Sequence, residues 1–298
     1  MTRFVYLTDT HIGARELGYQ QQHRYADNLP ELINNLDAWI QQNEIDFVLH
    51  GGDMVDQVSI ESIRCAMSIF SLSVPVYLCL GNHDMTHPEA AEIWLREAPD
   101  FFLDNKLQYD IITPDVFIHV VPNHWVEKAY YWDGYTQHPH FSPEQDNRWR
   151  GAVLAAGEKT LILCTHNEVA AVSPVQTGFT EPYHVPEPSF TQHIRKWIKQ
   201  TPSLRCVLSG HNHINTSNTL DTSATRAVTA SAFSEVPFEF KVLDITSNQL
   251  SMRTVSMMNA CNFAVTYNFD KTFVQGRLID RAFELPLCRS DAGEPYDA

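Results

Sequence analysis

Positive charge is what this chain has least of: 21 lysines and arginines stand against 36 aspartates and glutamates, a formal charge of -15. A surface of that sign repels polyanions, so nucleic acid and anionic membrane are disfavoured as bulk partners. Long apolar runs are missing as well. No stretch approaches the roughly 20 apolar residues of a membrane span, and Met1-Thr2-Arg3 leads into the short run Phe4-Val5-Tyr6-Leu7, too brief for a secretory signal. The six cysteines, Cys65, Cys79, Cys164, Cys206, Cys261 and Cys288, form no CxxC pair. Most lie in apolar runs such as Leu161-Ile162-Leu163-Cys164, which reads as reduced core thiols of a cytoplasmic protein. Internal repeats and low-complexity segments are absent too. Apolar residues, at 44% of 298, are plentiful enough for one large domain with or without an appendage.

The first half alternates short β-rich runs with amphipathic segments, which points to an α/β layered fold. Strands are expected at residues 4–8, 46–50 and 74–80. Between the first two, Leu29, Leu32, Ile33, Leu36, Trp39 and Ile40 recur at helical spacing, and between the next two Ile60, Ile63, Met67 and Phe70 do the same. Each unit is a β-α-β crossover, so the three strands should be parallel. A helix over 89–97 and a strand pair at 107–113 and 116–121 follow. Residues 123–150 are rich in aromatics and histidines with no regular period, and read as a long loop or insertion. A strand at 160–165, a loop over 167–188 and a helix over 190–200 come next. The runs 204–209, 226–230, 238–244 and 249–256 read as strands of a second sheet, with a further strand at 263–269 and a loose tail beyond Ser290.

Five strand ends carry the chemistry. Asp9-Thr10-His11 follows the first strand, Gly51-Gly52-Asp53 with Asp56 the second, and Gly81-Asn82-His83-Asp84 the third. His166 and Gly210-His211-Asn212-His213 follow two later strands. The carboxyl ends of strands in open α/β sheets are where ligands bind. Carboxylates, imidazoles and one amide oxygen suit a pair of manganese, iron or zinc ions, and the lack of a cysteine ligand argues against a structural zinc site. Glycines ahead of the ligands let the backbone turn sharply towards them.

In that order, D-x-H, G-D-x-x-D, G-N-H-D, a single H and G-H-x-H resemble the signature of the calcineurin-like metallophosphoesterases, over residues 9 to 213. The resemblance implies a four-layer α-β-β-α sandwich of two mixed sheets flanked by helices. That domain would fill residues 1–258, and 259–298 would pack on it as an extension or lie at an interface, leaving a homo-oligomer open. It implies that Asp9, His11, Asp53 and His213 bind one divalent cation and that Asp53, Asn82, His166 and His211 bind the other. Asp53 would then bridge ions on the order of 3.5 to 4 Å apart. The ions implied are manganese or iron, with zinc or nickel also accommodated. His83 would be the general acid, with Asp84 orienting its ring. Four positive charges against the two of Asp9 and Asp53 leave a cationic site inside an acidic protein. Such a site binds a phosphate ester and supplies a bridging hydroxide for in-line attack on phosphorus.

Within that superfamily, the chain's size and its residues 81–84 resemble the bacterial class III cyclic-nucleotide phosphodiesterases, which makes a small phosphodiester the expected substrate. Asp9-Thr10-His11-Ile12-Gly13 and residues 46–53 also resemble the DNA-repair exonucleases, a reading opposed by the charge of -15 and the lack of a basic stripe. The Ser/Thr protein phosphatase pattern is broken at Gln57 and Asp84. A non-catalytic scaffold would show damaged ligands, and all seven are intact. Within the second motif Asp56 reads as a supporting residue or a helix cap, and outside the motifs His50 reads as lying behind the metals. His124, His138, His140 and Asn167 are candidates for substrate contact. The aromatic stretch reads either as a lid or as an interface.

Overall fold

A computed structural model describes residues 1–15, 18–220 and 224–287. Cys288 and the tail beyond Ser290 lie outside these residues. The first half of the chain lays down β1 (Thr2–Leu7), α1 (Leu29–Gln41), β2 (Phe47–His50), α2 (Ile60–Ile69) and β3 (Val76–Leu78). The three strands pair in parallel, as the crossovers require. Ser59 caps α2 through its side chain, which accepts the Ser62 N–H. Next come α3 (Ala90–Glu97) and an antiparallel pair, β4 (Tyr109–Ile112) and β5 (Val116–Val120). The second half holds α4 (Pro143–Ala156), β6 (Thr160–Cys164), the single turn α5 (Pro174–Thr177), α6 (Pro188–Gln200) and β7 (Leu204–Ser209). The remaining elements are β8 (Thr216–Thr219), β9 (Arg226–Thr229), β10 (Glu239–Ile245), β11 (Gln249–Ser256), α7 (Leu278–Arg281) and β12 (Ala282–Pro286).

The strands form two mixed six-stranded sheets, ordered β12-β11-β10-β1-β2-β3 and β4-β5-β6-β7-β9-β8. Side chains alternate across a strand, and here the alternation sorts them into two cores. Val116, Ile118 and Val120 of β5 join the core shared with the first sheet and α1, whereas Phe117 joins a second core with α4 and α6. In β6, Ile162 and Cys164 take the first side and Leu161 and Leu163 the other. Two sheets back to back with helices outside is the α/β sandwich the resemblance implies.

Three expectations change. Strands β10 and β11 belong to the first sheet: β10 runs antiparallel beside β1, with Phe4 opposite Leu243. Apolar runs reveal strands but not the neighbour each one chooses. Residues 143–150 of the expected loop belong to helix α4, opened by a Ser142–Gln145 capping box with Pro143 in the first turn. Only residues before 143 are irregular. The expected strand at 263–269 does not form, because β12 takes the β11 edge while Phe263 packs on Tyr25 and Phe238.

In that arrangement residues 282–286 pair antiparallel with β11. Buried Asp280 accepts the Ser217 N–H (2.9 Å) and the Arg277 Nε–H (2.7 Å). Arg281 meets Glu239 at 2.6 Å, and the other oxygen of Glu239 accepts from Asn215 Nδ2 at 2.6 Å. A buried charge network of this kind fixes position more than it adds stability. Here it clamps the segment that follows His213.

Candidate metal centre

All five motifs sit at strand ends on one rim between the sheets. The loops after β1 and β2 are stitched together by Asp9 N–H to Gly52 O and His11 N–H to Asp53 O, both 2.9 Å. Five of the seven candidate ligands adopt left-handed backbone: Asp9 (φ 56°), His11 (47°), Asp53 (54°), His211 (71°) and His213 (60°). L-residues adopt that region at a cost and keep it where the surroundings impose it, chiefly at functional sites. The glycines serve close approach as much as turning. A Cβ on Gly52 (φ +111°) would lie 2.4 Å from His166 Nδ1, and one on Gly81 would lie 2.2 Å from Asp53 Oδ1.

The ligand atoms converge in two groups. Asp9, His11 and His213 form one, with His213 Nε2 3.3 Å from Asp9 Oδ1 and 3.2 Å from His11 Nε2. Asp53, His166 and His211 form the other, with His166 Nε2 3.3 Å from Asp53 Oδ2. Asn82 joins the second group through its Oδ1, 3.0 Å from His211 Nδ1. Asp53 reaches both, since its Oδ2 also lies 3.8 Å from His11 Nε2. Except for half-buried His211 these residues are buried. Among the described residues Asp9 Oδ1 and His166 Nε2 have no hydrogen-bond partner. Buried polar atoms almost always find a partner, so acceptors and imidazoles left facing one another fit a pair of cations between them.

Electrostatics agree. Burial would raise Asp9, but His213 and His166 hold it well below the usual carboxylate range, and His166 with His83 does the same for Asp53. Burial opposes charge on His166, yet Asp53 and Asp9 raise it to about 10; against the same burial, Glu235 and Asp9 raise His213 to about 9. Without metal the centre balances its carboxylates with protons on imidazoles, and metal binding displaces such protons. Burial pushes His211 down to about 3 and His11 to about 4, so both are neutral and ready to ligate.

Behind the ligands stand residues that fix their orientation. His213 Nδ1 is 2.6 Å from buried Glu235 Oε1, whose other oxygen accepts the Gln21 and Gln22 N–H groups. His166 donates from Nδ1 to Gly51 O at 2.9 Å, which leaves Nε2 for a metal. His50 does lie behind the centre: its Nδ1 accepts the Gly52 N–H, its Nε2 meets Thr10 Oγ1 at 3.0 Å, and burial holds it neutral at about 3.

The His83 ring is held by Asp56, not by Asp84. Its Nδ1 donates to the Asp56 carbonyl at 2.8 Å, with Asp56 Oδ1 at 3.5 Å. The Asp84 carboxylate instead accepts the Gly81 and Val55 N–H groups, both at 3.0 Å, and burial with nearby Asp53 raises it to about 7. It ties two ligand loops together. Helix α2 is capped by Ser59, so Asp56 is no cap.

Of the substrate-contact candidates, His124 and His140 pair through their backbones and close the aromatic loop, and exposed His138 pairs with Glu187. Asn167 is buried, and its N–H donates to Asn123 Oδ1. Sequence reasoning missed Glu235, which no motif marks. It also left Trp125 and Trp132 unplaced among the aromatics. Their rings lie 5.4 Å from His211 and 5.1 Å from His83.

Comparison with known proteins places this rim. The calcineurin-like phosphoesterase family profile matches residues 2–215. No curated relative matches the chain. A dimetal phosphatase from Danio rerio is similar in structure, with a TM-score of 0.63 and 16% identity over 86% of this chain and 96% of that one. A purple acid phosphatase from yellow lupin seeds matches at a TM-score of 0.60 and 14% identity, over 96% of this chain and 53% of that one. An inner-membrane-complex anchor from Plasmodium matches at 0.60 and 12%, over 86% of this chain and 84% of that one. At these identities the likeness is one of fold, and the Plasmodium protein shows that function must be argued from the site. The profile runs through all five motifs, and together with the Asp/His clusters at the rim it makes this chain a binuclear metallophosphoesterase of the calcineurin-like family.

Proposed function

We propose that the chain hydrolyses a small phosphodiester, a cyclic nucleotide or similar compound, in a reducing compartment such as the cytoplasm. The reading rests on His83. Its ring is partly exposed at the edge of the buried ligands, 4.7 Å from the His11 ring, and its backbone N–H donates to Asp53 Oδ1 at 2.8 Å. With Nδ1 committed to the Asp56 carbonyl, Nε2 is the nitrogen left to hand a proton to the oxygen that departs from phosphorus.

Asp9, His11, Asp53 and His213 would hold one cation, and Asp53, Asn82, His166 and His211 the other. Bound there, two divalent ions supply Lewis acidity to the phosphoryl oxygens and lower the pKa of water. The protein's own part is to hold the ligands rigid, keep the rim dry and aim His83. The acidic surface favours a small ester over nucleic acid, and the free thiols of Cys65, Cys79, Cys164, Cys206 and Cys261 suit a reducing setting.

The test is His83→Ala, assayed with alkyl diesters, aryl diesters, monoesters and single-stranded DNA. Elemental analysis should find both metals retained while alkyl diester turnover falls by about 10²- to 10⁴-fold, with a smaller loss on aryl esters whose alcohols leave unaided. Undiminished alkyl diester turnover would remove His83 from this role. A wild-type preference for DNA would overturn the substrate reading.

A further inference from the structure

The wall beside His83 comes from the irregular stretch before α4, and it is rigid. Trp132 donates its backbone N–H to Met85 O at 2.8 Å and its indole N–H to Thr136 O at 2.9 Å. Asp133 Oδ1 accepts the Tyr135 and Thr136 N–H groups, both at 2.8 Å, and so fixes the turn that provides that acceptor. The Trp132 ring leans on His83 at 5.1 Å and on Trp125 at 6.4 Å. Trp125 is buried, packs against His211, and has an indole N–H with no acceptor among the described residues.

Trp94 and Trp125 are buried, and half-buried Trp39 is covered by Phe240 and the Arg253 guanidinium. Trp132 is only half-buried although both of its N–H groups are tied down. Leaving part of an immobilised indole in water forgoes apolar burial, and a planar partner laid on the ring recovers it together with the stacking energy. The residue that the ring touches is the one nearest the leaving alcohol.

We infer that Trp132, backed by Trp125, stacks a planar heteroaromatic group such as a purine, carried by the alcohol that leaves at His83. The inference deepens the diesterase reading and rests on it for the position of the leaving group. It makes Trp132 a specificity residue.

Calorimetric titration of the metal-loaded protein with adenosine monophosphate and with glycerol 3-phosphate separates stacking from phosphate binding. Trp132→Leu should weaken the nucleotide by about tenfold or more, as loss of a base-stacking aromatic does, and leave glycerol phosphate nearly unchanged. Trp132→Phe should retain most of the nucleotide affinity. Equal loss for both ligands in Trp132→Leu, or a wild type that prefers neither ligand, would overturn the inference. Melting temperature and metal content show whether each variant is intact. Diester hydrolysis that persists beside an overturned stacking result leaves the proposed function standing, whereas selective nucleotide binding with no diester turnover removes that function and keeps the stacking site.

Discussion

The two pairs of imidazoles at the rim are alike in chemistry and unlike in what stands behind them. His213 is hydrogen-bonded to a carboxylate, Glu235 at 2.6 Å, and the Asp56 carboxylate lies 3.3 Å from His11 Nδ1 without making a hydrogen bond to it. His166 leans on the main-chain carbonyl of Gly51, and His211 lies between the Asn82 amide and the Trp125 ring. A carboxylate behind an imidazole fixes its tautomer and raises its basicity; a carbonyl fixes the tautomer with much less charge. One half of the centre therefore depends on side chains that can be exchanged singly. In the other, His166 depends on the path of the backbone, which crowding disturbs.

The sharpest way to break that contrast is to crowd the main-chain half. In Gly52→Ala the new Cβ meets His166 Nδ1 at 2.4 Å and the Gly81 backbone N at 2.8 Å, on a residue whose φ of +111° already disfavours a side chain. We expect a loss of about 3 kcal/mol in urea unfolding, from clash and backbone strain together. At roughly 2 to 4 °C per kcal/mol for a domain of this size, the melting temperature should drop by about 10 °C. An unchanged melt with full metal content would mean that His166 can give way, and the backbone-held half would lose its distinction.

Glu235→Gln probes the other half with a smaller effect. The amide keeps an oxygen for the Gln21 and Gln22 N–H groups but withdraws the charge behind His213. Loss of such a supporting carboxylate weakens metal binding by about 10- to 100-fold. Competition titration with a chelator should show that loss for one cation and not for the other. Equal weakening of both would show that the halves are coupled too tightly to be told apart.

The same division governs what was legible beforehand. Metal-ligand residue types are chemically conspicuous where strand signals end, and the resemblance of the ordered motifs to the calcineurin-like family named Asp9, His11, Asp53, Asn82, His166, His211 and His213 as candidate ligands. Their supports could not. Glu235 lies 22 positions beyond His213 in Phe233-Ser234-Glu235-Val236, and it reaches the centre only because the chain passes Thr8 there, with Phe233 N–H bonded to Thr8 O. The Gly51 carbonyl has no signature at all. In the fold, helices with a strong apolar stripe such as α1 stood out. Helix α4 is polar in its first half and apolar on nearly every side from Ala152 to Ala156, with Leu154 exposed, so its period was faint and only the Ser142–Gln145 cap marked it. Strand β10 was visible as a strand, but its place beside β1 is decided by sheet packing, which a local pattern does not encode.

The mildest change falls on Asp56, which serves His83 twice over. Its main-chain carbonyl takes the His83 Nδ1 proton at 2.8 Å, and its carboxylate lies 3.5 Å from the same nitrogen and 3.3 Å from His11 Nδ1. Asp56→Asn preserves the carbonyl and an amide oxygen while removing the charge. If the carbonyl does the orienting, both cations stay bound and turnover falls only about two- to tenfold, the worth of one ordinary hydrogen bond. If the charge does it, by stabilising a protonated His83, the loss should approach that of His83→Ala, and alkyl esters should suffer more than aryl ones. Measuring kcat for both ester types in this one variant separates the two cases, and a large, leaving-group-dependent loss would place Asp56 with Glu235 among the carboxylates on which the side-chain-held half depends.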